Sequence, residues 1–153
     1  MTSMTIIRTV VVSVSFSFFL AACSAEVPEA ISKRQENFKS LGAANKTISD
    51  ELEKPDPSVA VIRDSAKSLG DLVPHIPTWF PEGSGPETGA ETAALAVIWE
   101  QRAEFEEAAA NVKNLVGALN VAAAGDDITS ISAAAAEVGP GCKNCHNTFR
   151  LKK

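Results

Sequence analysis

The chain has 153 residues, a length that suits one domain, and 45% of its side chains are hydrophobic and 22% charged. Those proportions exclude a disordered or fibrous chain, and 24 alanines with no tyrosine favour helix over sheet. The formal net charge is −5, and this acidic balance argues against nucleic acid and anionic lipid surfaces as partners.

Residues 1–25 read as an export signal. A short n-region ends in Arg8, and an apolar stretch from Thr9 to Ala22 follows, interrupted by Ser13, Ser15 and Ser17. It is shorter than the ~20 residues a stable membrane-spanning helix needs. Small residues close it, as at a cleavage site. Leu20-Ala21-Ala22-Cys23 resembles a bacterial lipobox, which implies a signal of residues 1–22 and lipidation of Cys23. The rival reading is ordinary cleavage after Ala25. Both place the mature protein in the periplasm, and Ser24 after the cysteine points to anchoring at the outer membrane. A membrane contact is expected only through that lipid anchor.

Four helical segments follow. Segment A runs from about Glu26 to Lys54, with Val27, Ile31, Phe38, Leu41, Ile48 and Leu52 stepping by threes and fours. Its stripe also passes through Arg34 and Asn45; Pro28 lies in the expected first turn, and Pro55 and Pro57 end the segment. Segment B runs from about Ser58 to Val73. Residues 74–90 hold four prolines and three glycines, and read as a loop in which Trp79 and Phe80 tuck onto the bundle end. Segment C spans about Glu91 to Ala124, with Leu95, Ile98, Arg102, Phe105, Ala109, Val112, Val116 and Leu119 on its stripe. Segment D starts near Asp126 or Asp127, residues that suit an N-cap. Gly139-Pro140-Gly141 is expected to kink or briefly break it. The whole predicts an all-α, antiparallel up-down four-helix bundle over residues 26–153.

One motif carries chemistry. Cys142-Lys143-Asn144-Cys145-His146 is C-x-x-C-H, the attachment sequence of a c-type haem. Cysteines three apart on a helix project to one side about one turn apart, matching two vinyl groups on a porphyrin edge. Each thiol forms a thioether, and the adjacent His146 swings under the ring to bind iron. A thioredoxin-like Cys-x-x-Cys would need a βαβ setting, which the pattern lacks. A structural zinc site needs four ligands, and only His75, in a distant loop, is left to supply one. A disulfide would leave His146 unexplained. The prediction is one covalent haem c, attached through Cys142 and Cys145 near the C-terminus, with His146 as the axial iron ligand.

From Glu26 to Lys153 the chain resembles the class II c-type cytochromes, and within them cytochrome c′. The resemblance rests on the late Cys142–His146 motif followed by Phe149-Arg150, on Arg34-Gln35 in the first helix, on Trp79-Phe80 before a Gly-rich loop, and on Ile98-Trp99 with Phe105 six residues beyond the tryptophan. It implies that Arg34 and Gln35 lie beside the haem propionates, although Arg34 reaching out to solvent would be unremarkable. It implies that Phe38 covers the distal iron face, which core packing would also explain. Arg150 would flank the proximal imidazole or act as a cation at a helix C-terminus. Trp99 and Phe105 would wall the haem or pack the core, with core packing favoured for Phe105.

Axial ligation separates the functions within that family. Low-spin members place a methionine on the first helix, whereas the only methionines here are Met1 and Met4, both in the export signal. His75 is the only other strong ligand candidate. The reading is a five-coordinate haem protein, not an enzyme, that passes single electrons and binds small gases such as nitric oxide. The alternative is a six-coordinate low-spin electron carrier with a sixth ligand the sequence does not reveal. A peroxidase would need distal acid–base groups, and an apolar Phe38 speaks against them. Expected partners are redox proteins and small diatomic gases, and helices A and B permit a homodimer.

Overall fold

The computed structural model describes residues 23–152. The export signal over residues 1–22, with the lipobox reading, lies outside the described residues, as does the Cys23 side chain. Among the described residues no helix is long and apolar enough to cross a membrane.

Helix α1 (Cys23–Leu52) begins three residues before the expected start, so Pro28 falls beyond its first turn. The predicted stripe is the buried face: Ile31, Arg34, Leu41 and Ile48 are buried, and Phe38, Asn45 and Leu52 are half-buried. In its last turn, the buried Glu51 carboxylate pairs with Lys54 and accepts the Ser58 N–H at 3.2 Å, which turns the chain into α2. Helix α2 (Val59–Leu72) starts at the Ser58 N-cap, whose hydroxyl accepts the Val61 N–H at 3.4 Å. This cap satisfies one of the donors a helix start leaves free. Ile62, Ala66 and Leu69 form its buried face.

The structure corrects the sequence reading in three places. Residues 74–90 are not one loop, because a 3₁₀ helix continues α2 over Val73–Trp79 and another turn covers Pro86–Thr88. Each has a proline at its start, where the missing N–H costs nothing. Secondly, segment C is not helical from Glu91. Residues 93–95 run extended beside the C-terminal residues, with Leu95 N–H donating to Phe149 at 3.1 Å and Leu151 N–H to Ala93 at 2.8 Å. Thr92 is held in place by Arg34, so long-range bonds override the local helix preference. A short α3 (Val97–Glu100) follows and stops at Gln101, which leaves helical geometry at φ −121° and ψ 56°. Helix α4 (Arg102–Ala123) then starts, with the Arg102 guanidinium donating to the Phe80 carbonyl at 3.1 Å and to that of Pro77 at 2.8 Å.

Thirdly, α5 (Ile128–Phe149) is unbroken through Gly139-Pro140-Gly141. Pro140 and Ala136 are both exposed, so water can serve the Ala136 carbonyl that the proline leaves without a donor. Gly141 is buried, and a Cβ there would collide with Leu115 of α4. The glycine thus lets α5 approach α4 closely. Asp127 is the N-cap of α5, as the sequence suggested, accepting the Thr129 and Ser130 N–H groups at 3.1 and 3.2 Å.

The four long helices α1, α2, α4 and α5 form the predicted all-α bundle. Helix α4 packs along α5 and α2, and α1 packs along α2. Ile62, Leu119 and Ile131 at its centre are fully buried, each burial contributing about 1.5–3 kcal/mol. Helices α1 and α5 touch only sparsely. The functional site lies in the gap between them.

Candidate haem site

The last two turns of α5 bring Cys142, Cys145 and His146 to one side of the helix. All three are half-buried, and the two thiols are free. They face a cavity of about 950 Å³ between α1 and α5, at the upper end of the ~300–1,000 Å³ usual for small-molecule sites. Burial pushes both thiols up from their ordinary pKa and so favours the neutral S–H form. Burial, and then the Arg150 cation, pull His146 down, which keeps its imidazole neutral with a lone pair for a metal. Among the described residues no group of three or more His, Cys, Asp or Glu gathers to hold a bare metal ion. Two thiols one turn apart, a neutral imidazole and a large, mainly apolar cavity fit a covalently held porphyrin.

The aromatic residues are strongly segregated. All six that follow the export signal lie at this end of the bundle and join in one network of edge-on contacts. Phe38 of α1 meets Trp79 at 5.2 Å and Phe80 at 6.0 Å between centroids. Phe80 meets Phe105 at 4.9 Å, and Phe105 meets Phe149 at 5.3 Å. Phe38, Phe80, Phe105 and Phe149 line the cavity. Trp99 does not. It packs behind Phe80 at 6.0 Å and donates its indole N–H to the Pro81 carbonyl at 3.0 Å. Phe105 is also 2% exposed and part of the hydrophobic core, as expected of it, so it packs the core and lines the cavity at once, while Trp99 packs against the core behind it.

Arg34 is 3% exposed, so it does not reach out to solvent. It donates to the Ser84 hydroxyl at 3.2 Å, the Ser84 carbonyl at 3.0 Å, Thr92 Oγ1 at 3.0 Å and the Trp79 carbonyl at 3.4 Å. Its guanidinium also lies 4.5 Å from the Phe80 ring centroid. Every one of these partners is neutral, and burial lowers its pKa, with Glu87 pushing the other way. Among the described residues no carboxylate closes an ion pair with it. A buried cation on a cavity wall with neutral partners retains its attraction for an anionic group, and a haem propionate is one. Gln35 lines the same wall and donates to the Glu91 carbonyl at 2.9 Å. Arg150 lines the opposite rim, one turn beyond His146.

His75 is exposed on the 3₁₀ helix and does not line the cavity. Among the described residues His146 is the only histidine that does, and no methionine lines it. Sequence reasoning missed Gly42 and Asn45 on α1 and Thr92, Ala93 and Ala94 on the extended segment, all of which form walls. Asn45 carried a signal, as a polar residue on an apolar stripe. Residues 92–94 carried none.

Comparison with known proteins agrees with this geometry. The family model described as Cytochrome C′ matches residues 29–150. The cytochrome c′ of Rhodopseudomonas palustris is 34% identical over 128 residues, covering 82% of this chain and 84% of that one. The cytochrome c′ of Pararhodospirillum photometricum is 32% identical over 124 residues, covering 80% and 98%. The solved cytochrome c prime from Shewanella frigidimarina superposes with a TM-score of 0.75 at 29% identity, covering 84% of this chain and 98% of that one. Sequence, fold and cavity thus lead to one assignment: the chain belongs to the cytochrome c′ family, whose members bind one covalently attached haem c.

Proposed function

We propose that this chain is an exported, periplasmic haem protein whose Cys142 and Cys145 hold the haem and whose His146 is the sole protein ligand to iron. The haem supplies a one-electron redox centre and an open coordination position. Phe38 and His146 line the same cavity from α1 and α5, so with haem bound the protein would pass single electrons and admit small uncharged gases such as nitric oxide past Phe38. The observation that carries this reading is the composition of the cavity wall: one histidine, no methionine, and an aromatic ring on the helix opposite. The six-coordinate alternative loses its named candidate, because His75 is exposed outside the cavity.

Arg34 and Gln35 on one rim and Arg150 on the other orient the haem through its charged edge and flank its imidazole. The apolar wall of Ile76, Ile98 and Val112 excludes water from the ring face. Cys23 supplies a lipid anchor, and α1 and α2 supply a homodimer face. Membrane partition of the mature chain and sedimentation across concentrations test those two points.

The deciding experiment is the visible and electron-spin spectrum of the ferric and ferrous protein, paired with the intact mass after acid–organic extraction. A high-spin iron and a polypeptide heavier by one haem are expected. A low-spin iron at neutral pH overturns the five-coordinate assignment, and a mass equal to the bare polypeptide overturns the attachment.

A further inference from the structure

The side-chain charge of this chain is divided by sign. Residues 138–153 carry Lys143, Arg150, Lys152 and Lys153 and no carboxylate, so the formal −5 splits into +4 here and −9 elsewhere. Three of these cations converge in space. A shallow recess of about 350 Å³ beside His146 is lined by Lys143, Arg150 and Lys152, and no Asp or Glu lines it. The recess shares Asn45, Cys142, His146, Arg150 and Lys152 with the haem cavity, so the two spaces adjoin at the attachment motif. All three cations are exposed, and none is ion-paired among the described residues. By contrast, Lys33, Lys46, Lys54, Arg63, Lys67 and Arg102 each pair with a carboxylate.

Helix stabilisation does not account for the cluster. The α5 dipole favours cations in its last turn, but Lys143 precedes that turn and Lys152 lies past the end of the helix. A small anion is also a poor match, because only solvated, mobile side chains would hold it. An acidic protein surface engages several such cations at once. The charge on the rest of the molecule sharpens the effect, since a net −9 there repels an acidic partner on balance. Screening acts within ~8–10 Å at physiological salt, so a partner responds to the patch it approaches and not to the net charge.

We infer that this cationic recess is the docking face for an acidic electron-transfer protein, which exchanges one electron with the haem across the edge at Cys142 and His146. The inference rests on the redox reading above and adds the partner's charge and its landing site. In the forward step the partner is oxidised by one electron and the iron goes from ferric to ferrous, with no bond made or broken in the protein.

The test uses the purified haem-loaded protein and two one-electron reductants of opposite charge. One is an acidic flavodoxin in its hydroquinone form, and the other is hexaammineruthenium(II). Stopped-flow reduction by flavodoxin should slow roughly tenfold or more between about 10 and 300 mM salt, while reduction by the ruthenium cation should stay level or quicken. Lys143→Glu, which lines the recess but not the haem cavity, should remove a large part of the salt effect on flavodoxin and leave the visible spectrum unchanged. Lys67→Glu, on α2, should leave both the salt effect and the spectrum as they are. If flavodoxin reacts faster as salt rises, the acidic body dominates and the inference fails. Equal flavodoxin rates in Lys143→Glu and the unmodified chain also overturn it. Failure of the redox reading itself is distinguishable, since a haem-loaded protein would then accept electrons from neither reductant.

Discussion

Replacing Phe38 by alanine gives the most direct test of how the distal side is controlled. The Phe38 ring is half-buried and rests edge-on against Trp79 and Phe80, at 5.2 and 6.0 Å between centroids. A ligand arriving on that side must displace the ring and break both contacts. At about 0.5–1.5 kcal/mol per aromatic pair, the penalty is about 1–3 kcal/mol. With 1.4 kcal/mol per factor of ten, distal affinity is weakened about five- to a hundredfold in the unmodified protein. Carbon monoxide is the suitable probe, because it binds the ferrous iron opposite the histidine. Titration of Phe38→Ala should show its affinity raised by that factor, and Phe38→Leu should fall between the two. The alanine variant also loses buried area. A half-buried phenylalanine should cost about 2 kcal/mol of folding stability, less than the ~3–5 kcal/mol of a fully buried one. Haem retention should not change, since the attachment lies on α5. Unaltered carbon monoxide affinity in Phe38→Ala would refute the gating argument and leave the fold and the thioethers standing.

Other consequences follow from the same contacts. Arg34→Met leaves the Ser84 carbonyl and hydroxyl without the guanidinium donor and Thr92 Oγ1 with only the Ala94 N–H, so the urea midpoint should fall by the equivalent of about 1–3 kcal/mol, and proteolysis within residues 81–92 should quicken; a midpoint equal to the parent's would show that these bonds contribute nothing net. Gly141→Val places a branched side chain against Leu115, and thermal unfolding should report about 1–3 kcal/mol of destabilisation from overpacking. Glu51 sits below the ordinary carboxylate range because of Lys54 and the Ser58 amide, and Asp127 because of the Ser130 hydroxyl and then the Thr129 and Ser130 amides. Their stabilisation is therefore present above the unfolded value near ~4 and is lost as pH falls through the lower folded values. Glu51→Gln and Asp127→Asn should each flatten the acid limb of a stability–pH curve, and parallel curves would reject that account.

The haem-bearing motif was legible because its chemistry is local. Cys142, Cys145 and His146 sit within two turns, so helix geometry alone predicts their common side. The amphipathic stripes of α1, α2 and α4 were legible for a similar reason, since a 3.6-residue period can be read without knowing the neighbours. The N-caps Ser58 and Asp127 likewise act within three residues of themselves.

The rest depended on contacts far apart in the chain. Arg34 binds residues 45 to 58 positions away, and those bonds hold the aperiodic stretch through Thr92 as a cavity wall. Trp99 and Phe105 are six residues apart on what reads as one helix, but the break at Gln101 uncouples their directions and sends only Phe105 into the cavity. Pro140 reads as a helix breaker by its lost N–H. It is tolerated because packing of α5 against α4 turns that side of the helix to water, where the unpaired carbonyl is solvated. Local propensity and spacing specify the helices and the attachment motif; burial and long-range hydrogen bonds select which of their side chains line the cavity.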